Sequence, residues 1–191
     1  MPEHIGTHLD APVHFVSAGT TVDQIPAERL VVAAHVIDVR AQCEENRDFT
    51  LEVDAVDVYE HTFGRIGQGS AVLMATGWDE RLGDRERYYG GSTVPEHHFP
   101  GFGRSAAEAL VDRGVVGLGT DAASIDAGNS SDFAVHSLTM AAGLWHLEGL
   151  VNLTSLPADR ALLFVGVLPI DSGSGAPARV IAVLPGETEE L

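Results

Sequence analysis

Four residues able to hold a metal ion or move a proton crowd the start of the chain: His4, His8, Asp10 and His14, with Gly6 and Pro12 between them. Imidazole nitrogen and carboxylate oxygen are the usual ligands of zinc and its neighbouring divalent ions. His8 and Asp10 are two apart, so an extended chain points both to one face. His4 cannot join them along a straight strand. Six extended residues cover about 20 Å, and ligand bonds are only about 2 Å long. The chain must therefore turn at Gly6 and Thr7, where glycine permits it. Pro12 stiffens the exit and brings His14 close. A lone histidine in such a stretch reads as a polar loop residue. The whole pattern, His-x3-His-x-Asp-x3-His, reads as a metal centre.

A second pair of donors, His136 and Glu148, lies far downstream and twelve positions apart. An unbroken helix would separate them by about 18 Å and put them on different faces. To meet at one site they need a helix that stops between them. Gly143 is the predicted stop, with residues 144–153 running on as extended chain. Spacing alone leaves His136 as a helix-end neighbour and Glu148 as a surface residue.

The opening stretch resembles the hallmark His-x-Gly-Thr-His-x-Asp-x-Pro-x-His of the cyclase family, which includes bacterial kynurenine formamidases and isatin hydrolase. Thr76-Gly77-Trp78, the Gly119–Asp126 segment with Asp121 and Ser124, and the region from Val135 to Pro157 are similar to later parts of the same family. The resemblance runs from about residue 3 to residue 185. It implies that His4, His8, Asp10, His136 and Glu148 bind divalent metal, Zn or Mn and two ions, with Asp10 bridging. It implies that His14 transfers protons. The implied activity is hydrolysis of an amide C–N bond, arylformamidase-like, with N-formylkynurenine as the substrate. A cyclic amide, imide or lactone is the rival substrate, and a non-catalytic metal-binding module is the rival class. The implied fold is a swivelling β/β/α domain of the α/β class, one domain over residues 1–191, assembled as a homodimer or larger homo-oligomer. Family members carry several dozen residues before the hallmark. The chain is therefore expected to lack an N-terminal strand region, which would leave a sheet edge open. Asp121, Ser124 and Asp126 are candidates to orient ligands, or else to build a structural turn. Trp78, Tyr88 and Tyr89 are candidates to line an aryl pocket, or else to pack a loop. His35, His61, His97, His98 and His146 have no spacing that recommends them.

The elements that must carry these residues follow from apolar pattern. Residues 31–39 and 71–76 are compact apolar runs that predict buried strands. Residues 50–64 predict a helix capped by Thr50. Residues 77–100, rich in Gly, aromatics and charge, predict a long functional loop. Residues 105–113 predict a short helix capped by Ser105 and ended by Gly114. Residues 115–119 predict a strand, and 133–143 a helical patch. Residues 161–168 and 179–184 predict strands separated by a Gly/Ser/Pro turn. Strands and helices mix without a strict βαβ rhythm, which favours a layered α/β or α+β domain over a Rossmann sheet.

Composition narrows the class. The chain has 191 residues, 45% of them hydrophobic, enough for one sizeable core. The formal net charge is −17 and every one of the 11 Lys+Arg residues is Arg. Such a surface repels nucleic acid and anionic lipid, so the expected partner is a small-molecule substrate, with no nucleic acid and no membrane. The absence of lysine fits either a salty cytoplasm or a GC-rich genome. Cys43 is the single cysteine, so no internal disulfide forms and a cytoplasmic location is expected.

Overall fold

The computed structural model describes residues 2–184. Nine strands and five α-helices are present among them. They are β1 (His8–Asp10), β2 (Val31–Asp38), α1 (Arg40–Glu45), β3 (Thr50–Leu51), α2 (Val53–Phe63), β4 (Ala71–Ala75), α3 (Arg85–Tyr89), β5 (Gly101–Phe102), α4 (Arg104–Asp112), β6 (Gly117–Thr120), α5 (Ala134–Ala141), β7 (Trp145–Glu148), β8 (Ala161–Val167) and β9 (Gly175–Val183). Seven strands close a barrel in the order β1-β7-β6-β4-β2-β8-β9, and β3 pairs with β5 in a small separate sheet. β2, β4, β6 and β7 run parallel to their neighbours in that series. β1, β8 and β9 complete the ring with antiparallel pairs.

The alternation of a strand explains the two cores. Leu9, Leu73, Ala75, Val36, Trp145, Leu147 and Leu163 form one buried cluster, inside the barrel. Val72, Met74, Leu118 and Ile37 belong to a second cluster, shared with α2, α4 and α5 on the outside. Adjacent strand residues thus serve different layers, and the parallel strands are apolar on both faces. The architecture is a mixed α/β domain, and no helix among the described residues is long and apolar enough to cross a membrane.

Three expectations change. Among the described residues β1 is not an open sheet edge, because β9 flanks it on the side away from β7 and closes the ring. β9 begins at Gly175, so part of the expected Gly/Ser/Pro turn is strand. Pro177 lies one residue beyond the β8 ladder, which ends at Ala178, so its missing N–H costs no ladder bond. The third change concerns helix caps. Thr50 belongs to β3, and Glu52 is the residue that opens α2. Ser105 lies inside α4, whose cap position is Gly103. Glu52 and Ser105 instead cap each other's helices. The Glu52 carboxylate accepts from the Ser105 N–H and hydroxyl, and Ser105 Oγ accepts from Val53 N–H at 3.0 Å. Ser105→Ala removes the two hydroxyl bonds of this exchange and leaves the backbone N–H bond to Glu52. It is expected to cost about 1 kcal/mol, as cap losses do, and to lower Tm by roughly 2–4 °C in a chain of this size, read by thermal melting.

Candidate active site

β1 and β7 supply a two-strand platform. Their antiparallel register sets His8 opposite Glu148 and Asp10 opposite His146. All four side chains therefore leave the same face, while Leu9 and Leu147 point into the barrel core. The chain before β1 turns at Gly6, whose φ is +61°, and this folds His4 back onto Asp10. α5 delivers His136 from above and ends where Gly143 takes φ +82°. That stop lets β7 reverse course and bring Glu148 under His136.

Distances define two nests that share Asp10. His4 Nδ1 lies 2.5 Å and His8 Nε2 3.2 Å from Asp10 Oδ1. His136 Nε2 lies 3.6 Å from Asp10 Oδ2. Glu148 spans the same gap, with Oε2 3.5 Å from His8 Nε2 and Oε1 3.3 Å from His136 Nε2. The five residues picked out by resemblance as metal ligands are thus brought together in space. His14, on the turn Pro12–His14, stacks on His4 with ring centroids 4.1 Å apart. It joins the wall of a cavity of about 500 Å³ together with Phe15, Ser124 and Phe133. A second cavity, about 460 Å³, adjoins His4, His8 and Glu148 and is lined by Tyr88, Tyr89 and Arg85.

The hydrogen bonds behind the cluster assign the tautomers. His8 Nδ1 faces the Gly6 carbonyl at 2.9 Å, which can only accept, so Nδ1 carries the proton. His136 Nδ1 donates to Asp126 Oδ2 at 2.6 Å. Ser174 gives its hydroxyl proton to Glu3, so it accepts from His4 Nε2 at 2.9 Å. Each imidazole is tied on its outer nitrogen and presents a bare inner nitrogen to carboxylate oxygens. Lone pairs face lone pairs unless a cation lies between them. That is how histidine is prepared for metal.

The electrostatics agree. Burial pushes His8 down, yet the hydrogen bond to Asp10 and the charges of Asp10 and Glu148 outweigh it and raise the imidazole to about 9. Burial likewise opposes His136, and Asp10, Asp126 and Glu148 raise it to about 11. Burial pushes Asp10 up, but three histidines hold it well below 3.8. The cluster demands positive charge, which a divalent ion supplies in place of protons. Burial lowers His14 below 6.5, so it is neutral near pH 7. The donor set and its protonation therefore fit divalent metal.

Asp126 orients His136 and also accepts from the first N–H groups of α5, Val135 and His136, both at 3.0 Å. It is a positioning residue with a helix-capping role. Asp121 instead accepts from Thr76 and Gly77 and holds the turn after β4. Ser124 lines the cavity. Trp78 is buried beneath the loop, donates to the Tyr88 carbonyl and carries Arg81 3.5 Å above its ring. It packs the loop and is absent from both cavity walls. The loop itself contains α3, capped by Asp84 and ended by Gly90. His146, which spacing did not recommend, is fully buried beside Asp10 and His136. Its signal was available: His146-x-Glu148 repeats the His8-x-Asp10 alternation on an extended segment after a helix stop.

A family model named Cyclase matches residues 1–127 of the chain. The chain belongs to the Cyclase family. This Cyclase member is 35% identical over 192 residues to isatin hydrolase of Roseibium aggregatum, covering 96% of this chain and 72% of that protein. It is 33% identical over 180 residues to kynurenine formamidase of Salinibacter ruber, covering 93% and 74%. Among solved structures it resembles an isatin hydrolase bound to the product analogue thioisatinate, with a TM-score of 0.93, 33% identity, and coverage of 97% of this chain and 74% of that one. A potential metal-dependent hydrolase with cyclase activity matches with a TM-score of 0.73, 27% identity, and coverage of 95% and 79%. The barrel and the helices packed on it are therefore the family fold.

Proposed function

We propose that this Cyclase member is a metal-dependent hydrolase that breaks an amide C–N bond whose nitrogen is carried by an aromatic ring. The observation that carries the proposal is the shared carboxylate: Asp10 turns one oxygen to His4 and His8 and the other to His136. His4, His8, Asp10, His136 and Glu148 would hold divalent metal, Zn or Mn, as two ions. A divalent cation bound there supplies Lewis acidity, polarising a carbonyl and acidifying water. His14 does the proton work. Neutral at pH 7, it takes a proton from the attacking water and returns it to the nitrogen as the C–N bond breaks. A cyclic amide opens to one product carrying both a carboxylate and an aromatic amine, whereas an aryl formamide gives formate and a separate aromatic amine.

Phe15 and Phe133 stand over the cavity 5.8 Å apart, about 40% exposed, and suit an aryl substrate. Phe133 has φ +47°, a strained conformation for a bulky residue, and it holds the ring at the cavity mouth. Similarity to isatin hydrolases over nearly the whole chain favours an isatin-type cyclic amide. The second reading is an aryl formamide such as N-formylkynurenine, supported by 33% identity to a kynurenine formamidase. A homo-oligomer belongs to the same reading. Leu162, Phe164, Ile181 and Val183 are exposed on paired positions of β8 and β9, an apolar face of the kind that interfaces cover.

Turnover of isatin and of N-formylkynurenine by Mn- and Zn-loaded protein separates the two readings. The expected result is a kcat/KM at least about tenfold higher for isatin, a difference of about 1.4 kcal/mol in transition-state binding. Preference for the formamide establishes the second reading. Turnover of neither, with metal bound, leaves a metal-binding module and removes the proposal.

A further inference from the structure

His146 occupies the last unassigned corner of the platform. Two His-x-acid dyads face each other across β1 and β7, with each histidine opposite the other dyad's carboxylate. Nitrogen and oxygen donors therefore alternate around the face. One ligand atom each of Asp10, His136 and His146 lie within 4.8 Å of one another. The ring centroids of His136 and His146 are 4.7 Å apart, nearly perpendicular.

The hydrogen bonds of His146 follow the same logic as those of the other three histidines. Thr139 gives its hydroxyl proton to the Val135 carbonyl at 2.7 Å. It can then only accept from His146 Nε2, at 2.7 Å. Nδ1 is left without a proton and, among the described residues, without a partner, in a side chain with no solvent exposure. Buried polar atoms are rarely left unpaired, because an unmet one forfeits its hydration with nothing in return. The helix face that presents His136 also presents Thr139, three positions on. α5 thus brings one ligand and fixes the tautomer of another.

We infer that His146 is a further ligand of the second cation, bound through Nδ1 beside Asp10, His136 and Glu148, with Thr139 as the residue that sets its tautomer. The inference rests on the two-ion reading of the site. It extends that reading to a residue outside the hallmark and its downstream pair. The first cation keeps His4, His8 and Asp10, so loss of His146 acts on one ion of two.

The test compares wild type with His146→Gln, His146→Ala and Thr139→Val, each stripped with chelator and titrated with Zn2+ and with Mn2+. Ions per chain are counted by elemental analysis and affinities read by calorimetry. Wild type is expected to take two ions. His146→Gln and His146→Ala are expected to keep the tighter ion and to bind the second about 100-fold more weakly or not at all. Thr139→Val, which leaves His146 in place, is expected to weaken the second ion by about tenfold, the lower end of the range for outer partners. In 15N-histidine-labelled protein, the Nδ1 resonance of His146 should move with the second equivalent of Zn2+ and not with the first. A buried histidine with a packing role alone would leave it in place. Far-UV circular dichroism of the stripped proteins checks folding, and Thr139→Val together with the resonance shift carries the test if both His146 variants fail to fold. Two ions at wild-type affinity in His146→Gln, or an unmoved Nδ1 resonance, overturns the inference and leaves the two-ion reading standing. A wild-type protein that binds no more than one ion overturns that reading itself.

Discussion

Asp10→Asn is expected to leave the protein without its metal load and to lower turnover by at least about 10²–10³-fold, the scale lost when one group stabilising developing charge is removed. Asp10 is 1% exposed and meets His4 and His8 on one oxygen and His136 on the other. The amide has nearly the same shape, so packing survives. Its charge does not, and an NH2 group replaces one of the two oxygens. A donor then confronts a bare imidazole nitrogen at one nest, and neither nest keeps a shared anion. Elemental analysis after dialysis reads the metal, and initial rates on metal-supplemented protein read the chemistry. Melting with and without added Zn2+ gives a third readout. A bound ligand stabilises the native state by mass action, so wild type should melt higher with metal and the variant should not. An Asp10→Asn protein with its full complement of ions would falsify the bridging role.

His14→Ala should separate proton transfer from metal binding. His14 stacks on His4 and lines the cavity, yet it makes no close approach to Asp10 or Glu148 of the kind His8 and His136 make. The expected variant keeps its ions and loses about 10²–10⁴-fold in kcat, the usual worth of general acid–base catalysis. Burial, with His4 and His136 nearby, holds His14 below 6.5, against the pull of Asp10 and Glu148. It is ready to accept a proton at neutral pH. Added imidazole should restore part of the rate in the alanine variant, since the cavity left is the size of the ring. Loss of metal in His14→Ala would make it a ligand and remove the proton-transfer role.

Much of the site was legible because its signals are local. The two-residue alternation of His8 and Asp10, the turn at Gly6 and the helix stop at Gly143 are all set by neighbouring residues, and the structure carries each of them. His146 was only half legible: its alternation with Glu148 is local, but its pairing across the platform is not. Its partner Asp10 lies at the other end of the chain, and only the β1–β7 register sets them side by side. The capping exchange failed for a related reason. Thr50 and Ser105 are good cap residues by type, but Glu52 and Ser105 serve helices that meet only in the folded chain. The sequence predicts a shorter β9, over 179–184, because Gly, Ser and Pro signal turns. Pairing with β1 overrides that tendency across Gly175–Pro177. The strands from 31 to 38 and 71 to 75 were plain, since burial on both faces leaves an unbroken apolar run.

The clasp of β1 between β7 and β9 also dictates when the site can exist. β1 pairs with residues 146–148 on one side and 175–177 on the other, and loop closure over such separations is entropically costly and slow. During synthesis β1 leaves the ribosome well before β7 and β9, and its strand waits for both neighbours. An incomplete chain holds the ligands in sequence but not in register. Tight capture of an ion would therefore require the closed barrel, in which β1 has both neighbours.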